Sequence, residues 1–484
     1  MSKTPPAGAV SGLFTDLYEL TMMQGYFTLH HNPAVVFDMF FRRQPFGGGF
    51  AVFAGLAPLL ENIAALKFSG EDIRYLAGLG LFSAEFLEYL SGFKFSGDIY
   101  AVDEGTPVFP VEPLIRVHGS LLEVQLIESL LLNTVNFQSL IATKAARMYL
   151  ASGEGIIAEF GMRRAHGRDG ALSATRAAFI GGASSTSNTL AGREYGIPVK
   201  GTQAHSWIMS FASEKEAFAK YAEVYPQNCI LLIDTYDTLQ SGIKNAVQIG
   251  KKLKTRGIEN IGVRLDSGDL EYLSKSVRHE LDKAGLKKAR IVVSNDLNEE
   301  IIQQLVTRGA PIDIWGVGTN LVTAQGDPAL TGVFKLAARS DGRKMFPAIK
   351  LSNNPHKTSN PGIKQVFRFF NGGGAAVADL MALDHEKPGT GGSRRFYHPL
   401  YEYKYFDLAE YGSVREMLLP RMKNGEITDR TLDLVHIREH TLRELGALDD
   451  TYKRLINPHI YKVSLSESLK NLKFKLIAQT TQSL

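Results

Sequence analysis

A chain of 484 residues with a single cysteine excludes an intrachain disulfide, and this suits a reducing compartment. That thiol, Cys229, lies in the apolar run 229–233, where a buried, inert role is the ordinary one. Uncharged apolar runs of about 18 residues are also missing, so no membrane-spanning helix is expected. Residues 1–10 are polar and Pro/Ala-rich, without the apolar stretch of a secretion signal, and are expected to be flexible. The expected location is cytoplasmic. The 54 basic and 50 acidic side chains leave only +4, with no Lys/Arg block, which argues against nucleic-acid and membrane-surface partners. Neither Gly-x-x-x-x-Gly-Lys-Ser/Thr nor an early Gly-x-Gly-x-x-Gly occurs, which removes the usual P-loop and weakens a Rossmann oxidoreductase reading. No His/Cys cluster has zinc spacing, and no repeat or coiled coil is evident.

What is present is ordinary globular material, 44% hydrophobic and 21% charged, in a chain long enough for two or three domains. The pattern divides into an N-terminal α/β segment over 11–138, a barrel-sized α/β region over 139–345 and a C-terminal region over 346–484. In the first, 13–27 reads as a helix capped by Thr15 or Asp16, 35–42 and 49–54 as strands, and 121–140 as a long apolar helix. In the last, 348–370, 396–406 and 461–465 read as strands, with glycine loops at 372–374 and 389–392. The middle region repeats short β-branched runs followed by helical stretches. Strands are expected at 156–160, 199–202, 230–234, 261–265, 290–294 and 312–317, which favours a parallel sheet with helical crossovers.

Each of these six strands ends in polar or glycine-rich residues, the end at which α/β folds bind ligands. Arg163 and Arg164 suit a carboxylate or phosphate, or a surface ion pair. Adjacent strand residues point opposite ways, so one of the two is expected to face the site. Gly316-Val317-Gly318-Thr319 can turn consecutive backbone N–H groups toward a phosphate. Asp266 and Asp269, beside Arg264, can reach Mg²⁺ or a ribose diol. The carboxylate pair also admits a glycosidase reading, disfavoured by the phosphate-type groups around it. Asp237, Thr238, Ser267 and Asp296 fit as helix N-caps. His205 reads as either structural or catalytic, and Tyr18 and Phe160 as either core residues or a ring-stacking pair.

Taken together the segments resemble the nicotinate phosphoribosyltransferase family. The resemblance runs through Thr15-Asp16-Leu17-Tyr18-Glu19-Leu20-Thr21-Met22, Glu159-Phe160-Gly161-Met162-Arg163-Arg164-Ala165, Thr186-Ser187-Asn188 and Gly201-Thr202-Gln203-Ala204-His205-Ser206. It continues through Asp234-Thr235-Tyr236-Asp237-Thr238, Arg264-Leu265-Asp266-Ser267-Gly268-Asp269, Gly316-Val317-Gly318-Thr319 and Lys350-Leu351-Ser352. It implies an irregular α/β barrel of the type II phosphoribosyltransferase kind, an N-terminal α/β domain completed by C-terminal segments, and a homodimer with active sites at the interface. By the same resemblance the substrates are nicotinate and phosphoribosyl pyrophosphate, with ATP as co-substrate and Mg²⁺ as cofactor. His205 corresponds to the histidine that is phosphorylated. Tyr18 and Phe160 correspond to the pair that stacks on the pyridine ring, and Arg164 to the partner of its carboxylate. Asp266 and Arg264 fall at ribose and phosphate positions, with Thr202, Ser206 and Asp269 in the same substrate-binding set. Gly316, Gly318 and Thr319 fall at the 5′-phosphate.

Rival readings are a nicotinamide-specific relative, a quinolinate enzyme and a non-catalytic phosphoribosyl-ligand sensor. Amide-specific relatives carry an acidic residue where Asn188 stands, and a carboxylate there would repel nicotinate. A quinolinate enzyme needs more cations for two carboxylates. Intact Arg164, His205, Asp266 and Asp269 count against a sensor.

Overall fold

The computed structural model describes residues 10–389, 393–428 and 433–482. Its contacts divide these into two compact units, one comprising Ile141–Pro328 and the other the described residues up to Leu140 together with those from Ala329.

In the Ile141–Pro328 unit six strands form one parallel sheet. They are β1 (Ile156–Glu159), β2 (Ser185–Thr186), β3 (Cys229–Leu232), β4 (Ile261–Leu265), β5 (Arg290–Val293) and β6 (Ile314–Val317), in the spatial order β2-β1-β6-β5-β4-β3. Helices Gly167–Ile180, Ile243–Thr255, Leu270–Lys283 and Glu299–Thr307 alternate with them. Runs such as Ile291-Val292-Val293 are buried on both faces, which is why these strands read as continuous apolar stretches rather than alternating ones. A lone parallel bridge from Thr186 to Val199 adds a seventh chain segment beside β2. The ring order is then 199, β2, β1, β6, β5, β4, β3, a barrel interrupted between its first and last members. Across that interruption Gln203 Nε2 donates to Ile230 O at 3.2 Å.

Five of the six expected strands are present. The run at 199–202 is not a strand, because Pro198 has no N–H to donate and only one bridge forms there. In its place the ladder uses β2, two residues long and too short to show any periodicity.

The other unit is built on two large sheets, with a two-stranded one that pairs Ala51–Val52 with Pro107–Val108. The first orders Met345–Pro347, Gly332–Ser340, Ala34–Phe41, Ile115–Ser120, Asp98–Ala101, Leu419–Lys423 and Glu426–Ile427, so both ends of the described chain contribute to it. The second orders Tyr405–Leu408, Arg394–Tyr397, Val463–Leu465, Ala376–Leu383, Lys364–Phe370 and Ser413–Glu416. Inside the second, Arg368 Nε and Nη2 grip Asp379 at 2.9 and 2.7 Å, and Tyr461 Oη donates to the same carboxylate at 3.0 Å. This is the paired, hydrogen-bonded arrangement that a buried charge requires.

The first helix runs Leu17–Thr28 with Asp16 at its N-cap position, and the apolar stretch expected as one helix is two, Leu121–Leu126 and Glu128–Ala151. Residues 1–9 and 390–392, where a flexible terminus and part of a glycine loop were expected, lie outside the described residues. Among the described residues no helix is long and apolar enough to cross a membrane.

Candidate active site

Parallel pairing puts the carboxyl ends of the strands at one level, with Leu232 beside Arg264, Leu265 beside Val293 and Val317 beside Glu159. The residues that follow these positions therefore form one rim. At its centre lies Arg264, whose guanidinium is fixed on three sides: Nε donates to Ser294 Oγ at 2.9 Å, Nη1 to Thr202 Oγ1 at 3.0 Å and Nη2 to Asp266 Oδ1 at 2.9 Å. Ser294 Oγ also donates to Asp266 Oδ1. An arginine locked this way keeps its charge aimed in one direction at little entropic cost when a ligand arrives.

Asp234 follows β3 and joins this rim to His205. Its Oδ2 accepts from Asp266 N and from Ser267 Oγ, both at 2.7 Å, and its Oδ1 lies 3.4 Å from His205 Nε2. The Asp234 side chain is 2% exposed and the His205 side chain 40%. A buried carboxylate thus faces one ring nitrogen of an accessible imidazole, the arrangement that fixes a histidine tautomer. In the sequence Asp234 is one more polar strand end, with no signal that it partners His205. In the structure Asp237 is the helix cap, accepting from Leu239 N at 2.9 Å and Gln240 N at 2.6 Å.

The aromatic side of the rim is Phe160. Gly316 lies directly beneath it: a Cβ there would stand 2.8 Å from the Phe160 ring, so a side chain at 316 fits only if the ring shifts. The Arg264 guanidinium carbon is 5.7 Å from the ring centroid, within cation–π range. Gly318 and Thr319 open the short turn Thr319–Val322, whose first N–H groups have no partner within the turn itself. Ser206 is exposed at the start of the short helix His205–Met209, beside the histidine.

Four residues, Arg163, Arg164, Asp269 and Asn188, take positions that spacing alone does not show. Arg163 and Arg164 lie not on a strand but in the 3₁₀ turn Met162–Arg164, and both are exposed, so strand alternation does not divide them into one inward and one outward side chain. Asp269 caps helix Leu270–Lys283, accepting from Tyr272 N at 3.1 Å. Asn188 is 1% exposed and caps Thr189–Tyr195 through Ala191 N at 3.2 Å, while its Nδ2 donates to Thr175 Oγ1 at 3.4 Å. Beneath it Glu159 Oε2 accepts from Thr175 Oγ1 at 3.0 Å and Thr186 Oγ1 at 2.5 Å, tying β1, β2 and helix Gly167–Ile180 together. Tyr18 lies on the Leu17–Thr28 helix of the other unit, half exposed.

Among the described residues no group of three or more His, Cys, Asp or Glu side chains could hold a metal unaided. Asp266 and Asp269 each engage Oδ1 within the protein, a donor set that suits an ion bound chiefly by substrate phosphates.

An interrupted α/β barrel whose rim gathers a fixed arginine, carboxylates, a histidine and a glycine-rich loop is consistent with the type II phosphoribosyltransferase fold. Family models described as the nicotinate phosphoribosyltransferase N-terminal domain, the family itself and the C-terminal domain match residues 13–136, 156–367 and 363–473. The chain belongs to the nicotinate phosphoribosyltransferase family. A Bacillus subtilis protein named nicotinate phosphoribosyltransferase is 42% identical over 474 residues, covering 96% of this chain and 95% of its own length. A Caenorhabditis elegans protein of the same name is 40% identical, with coverages of 95% and 92%. The crystal structure of human nicotinic acid phosphoribosyltransferase superposes with a TM-score of 0.83 at 31% identity, over 96% of this chain and 99% of that one. A nicotinate-nucleotide pyrophosphorylase from Pyrococcus furiosus shares the fold, with a TM-score of 0.69 at 23% identity.

Proposed function

We propose that this chain joins nicotinate to phosphoribosyl pyrophosphate, releasing nicotinate mononucleotide and pyrophosphate in the salvage of pyridine nucleotides, and that ATP is coupled to the reaction through phosphorylated His205. The observation that carries the reading is the locked Arg264–Asp266–Ser294 cluster next to Asp234–His205, in a chain similar end to end to proteins of that name.

In the transfer step the pyridine nitrogen forms a bond to the anomeric carbon as the bond to pyrophosphate breaks, and positive charge develops on the ribose. Asp266, held rigid by Arg264 and Ser294, supplies a fixed negative charge for that cation. Phe160 offers a flat face for the ring, with Tyr18 as its second face, donated by a partner subunit in a homodimer. Arg164, exposed beside Phe160 in the chain, pairs with the nicotinate carboxylate. The amides of Gly318 and Thr319 receive the 5′-phosphate. Asp266 or Asp269, together with the substrate phosphates, would hold Mg²⁺, which would supply positive charge against the pyrophosphate as it leaves.

With Nε2–H turned toward Asp234, the unprotonated nitrogen of His205 is Nδ1, and it attacks the terminal phosphorus of ATP as ADP leaves. The phosphate added at His205 brings negative charge and acceptor oxygens close to the donor's pyrophosphate site. It favours turnover only through affinities that differ between the phosphorylated and free states.

Product formation from nicotinate, nicotinamide and quinolinate in parallel, with donor and Mg²⁺, with and without ATP, tests the assignment. Nicotinate is expected to be the preferred base and ATP to stimulate the rate. Turnover of none of the three would overturn the reading. His205→Ala is expected to abolish the ATP stimulation while leaving weak ATP-independent synthesis, and equal loss of both rates in a folded variant would remove the phospho-histidine.

A further inference from the structure

Two consecutive non-glycine residues after β5, Asn295 and Asp296, hold left-handed backbone angles, with φ of 92° and 21°. Residues with a Cβ keep such angles only where the surroundings over-determine them. Before the turn, Ser294 is tied to Arg264 and Asp266. After it, Asn298 accepts from Ile301 N at 2.8 Å to cap helix Glu299–Thr307, and buried Glu299 takes Lys144 Nζ at 2.6 Å and Arg147 Nε at 2.8 Å. Between these anchors the carbonyls of Asp296 and Leu297 both accept from one amide, Asn320 Nδ2, at 2.8 and 3.2 Å. Asn320 is 8% exposed and follows Gly318 and Thr319 directly in the chain.

We propose that Asn320 is a positioning residue for the phosphoribosyl donor, an inference that rests on the reaction assigned above. Its amide fastens the loop after β6, where the phosphate is received, to the loop after β5, which carries Ser294 and through it Asp266 and Arg264. A ribose 5-phosphate group spans both loops, so their separation decides whether its two ends can be held at once. The choice of side chain follows from the contacts. Two carbonyls converge on one point, and Asn is short enough to reach both with N–H donors. Leu has a similar shape without donors, and Asp presents lone pairs to two carbonyl oxygens.

Asn320→Leu and Asn320→Asp test the assignment. Calorimetric binding of ribose 5-phosphate is expected to weaken on the order of tenfold. In turnover, KM for the donor rises by a similar factor while KM for nicotinate stays unchanged. Hydrogen exchange at residues 295–297 rises with it. Wild-type affinity for ribose 5-phosphate in either folded variant would overturn the proposal. So would an equal loss of affinity for nicotinate, which marks general loosening of the barrel, and so would failure of both variants to fold. Ribose 5-phosphate binding needs no turnover, so a wild-type protein that binds it but converts no base sinks the reaction and still leaves Asn320 tested.

Discussion

Asp234 stands between His205 and Asp266, with one carboxylate oxygen 3.4 Å from the imidazole Nε2 and the other accepting from the Asp266 backbone N–H at 2.7 Å. A single side chain thereby sets both the orientation of the histidine ring and the loop that carries Asp266. Asp234→Asn removes the charge that orients the ring while leaving a similar shape. Phosphorylation of His205 by ATP is expected to slow by at least about 10- to 100-fold, the range seen when a metal-bound histidine loses the group that orients it. The measurement is incorporation of labelled terminal phosphate from ATP over time. Labelling at the wild-type rate would show that Asp234 does not hold the ring.

Gly316 is required by Phe160 rather than by its own backbone angles. A methyl group at 316 would meet the Phe160 ring at 2.8 Å and Val293 O at 3.2 Å, so Gly316→Ala must push the ring outward. KM for nicotinate is expected to rise on the order of tenfold with the ring displaced, since a stacked aromatic face is worth about 1–3 kcal/mol. KM for the donor should change much less. Equal rises in both would place the damage in the barrel rather than at the base.

These two cases mark what could and could not be read from the chain. Strand ends are legible because parallel strands are buried on both faces and stop at polar residues, and Arg264 and Asp266 stand out on that ground, whereas Thr202 and His205 follow a run that forms only one bridge and are singled out by the family resemblance. Roles within the rim are not legible. Asp237 caps a helix as its position suggests, but Asp234 and Asp269 are both acids just after strands, and Asp269 also caps a helix while Asp234 turns to His205. Which of these happens depends on neighbours distant in sequence. β2 carries no signal because two residues have no period, and Asn320, just past the glycine motif, has none because its partners lie far off in the chain. Its partners, Asp296 and Leu297, are 24 and 23 residues away.

Asn188 separates a structural role from a chemical one. Asp caps a helix as well as Asn does, so Asn188→Asp keeps the bond from Ala191 N. It loses the donor to Thr175 and sets a second buried carboxylate one hydroxyl away from Glu159. A stability loss of about 1–3 kcal/mol is expected from that uncompensated polar contact. The ratio of kcat/KM for nicotinate over nicotinamide should fall, since the new charge repels the acid and can accept from the amide. An unchanged ratio in a folded variant would remove Asn188 as the residue that selects the base.

Glu128 makes stability depend on pH in the unit that carries Tyr18. Burial pushes its carboxyl up to about 7 from 4.5, against the pull of Lys335, whose ammonium is 3.9 Å away, and with a further upward push from Glu19. A carboxyl whose folded value is raised contributes its stability below the unfolded value, and that contribution is lost as pH climbs toward the folded one. The melting temperature is therefore expected to fall between pH 4.5 and about 7 from this group. Glu128→Gln keeps the shape and the capacity to bond with Gln125, whose Nε2 lies 3.3 Å from the carboxylate, but removes the titration. The fall over that window should flatten in the variant, which should also exceed the wild type in stability at neutral pH. Buried His118, whose imidazole is held down to about 4, contributes a rise over the same window, so the comparison of slopes carries the test: a variant with the wild-type slope would show that Glu128 is ionised in the folded protein and held by Lys335 instead.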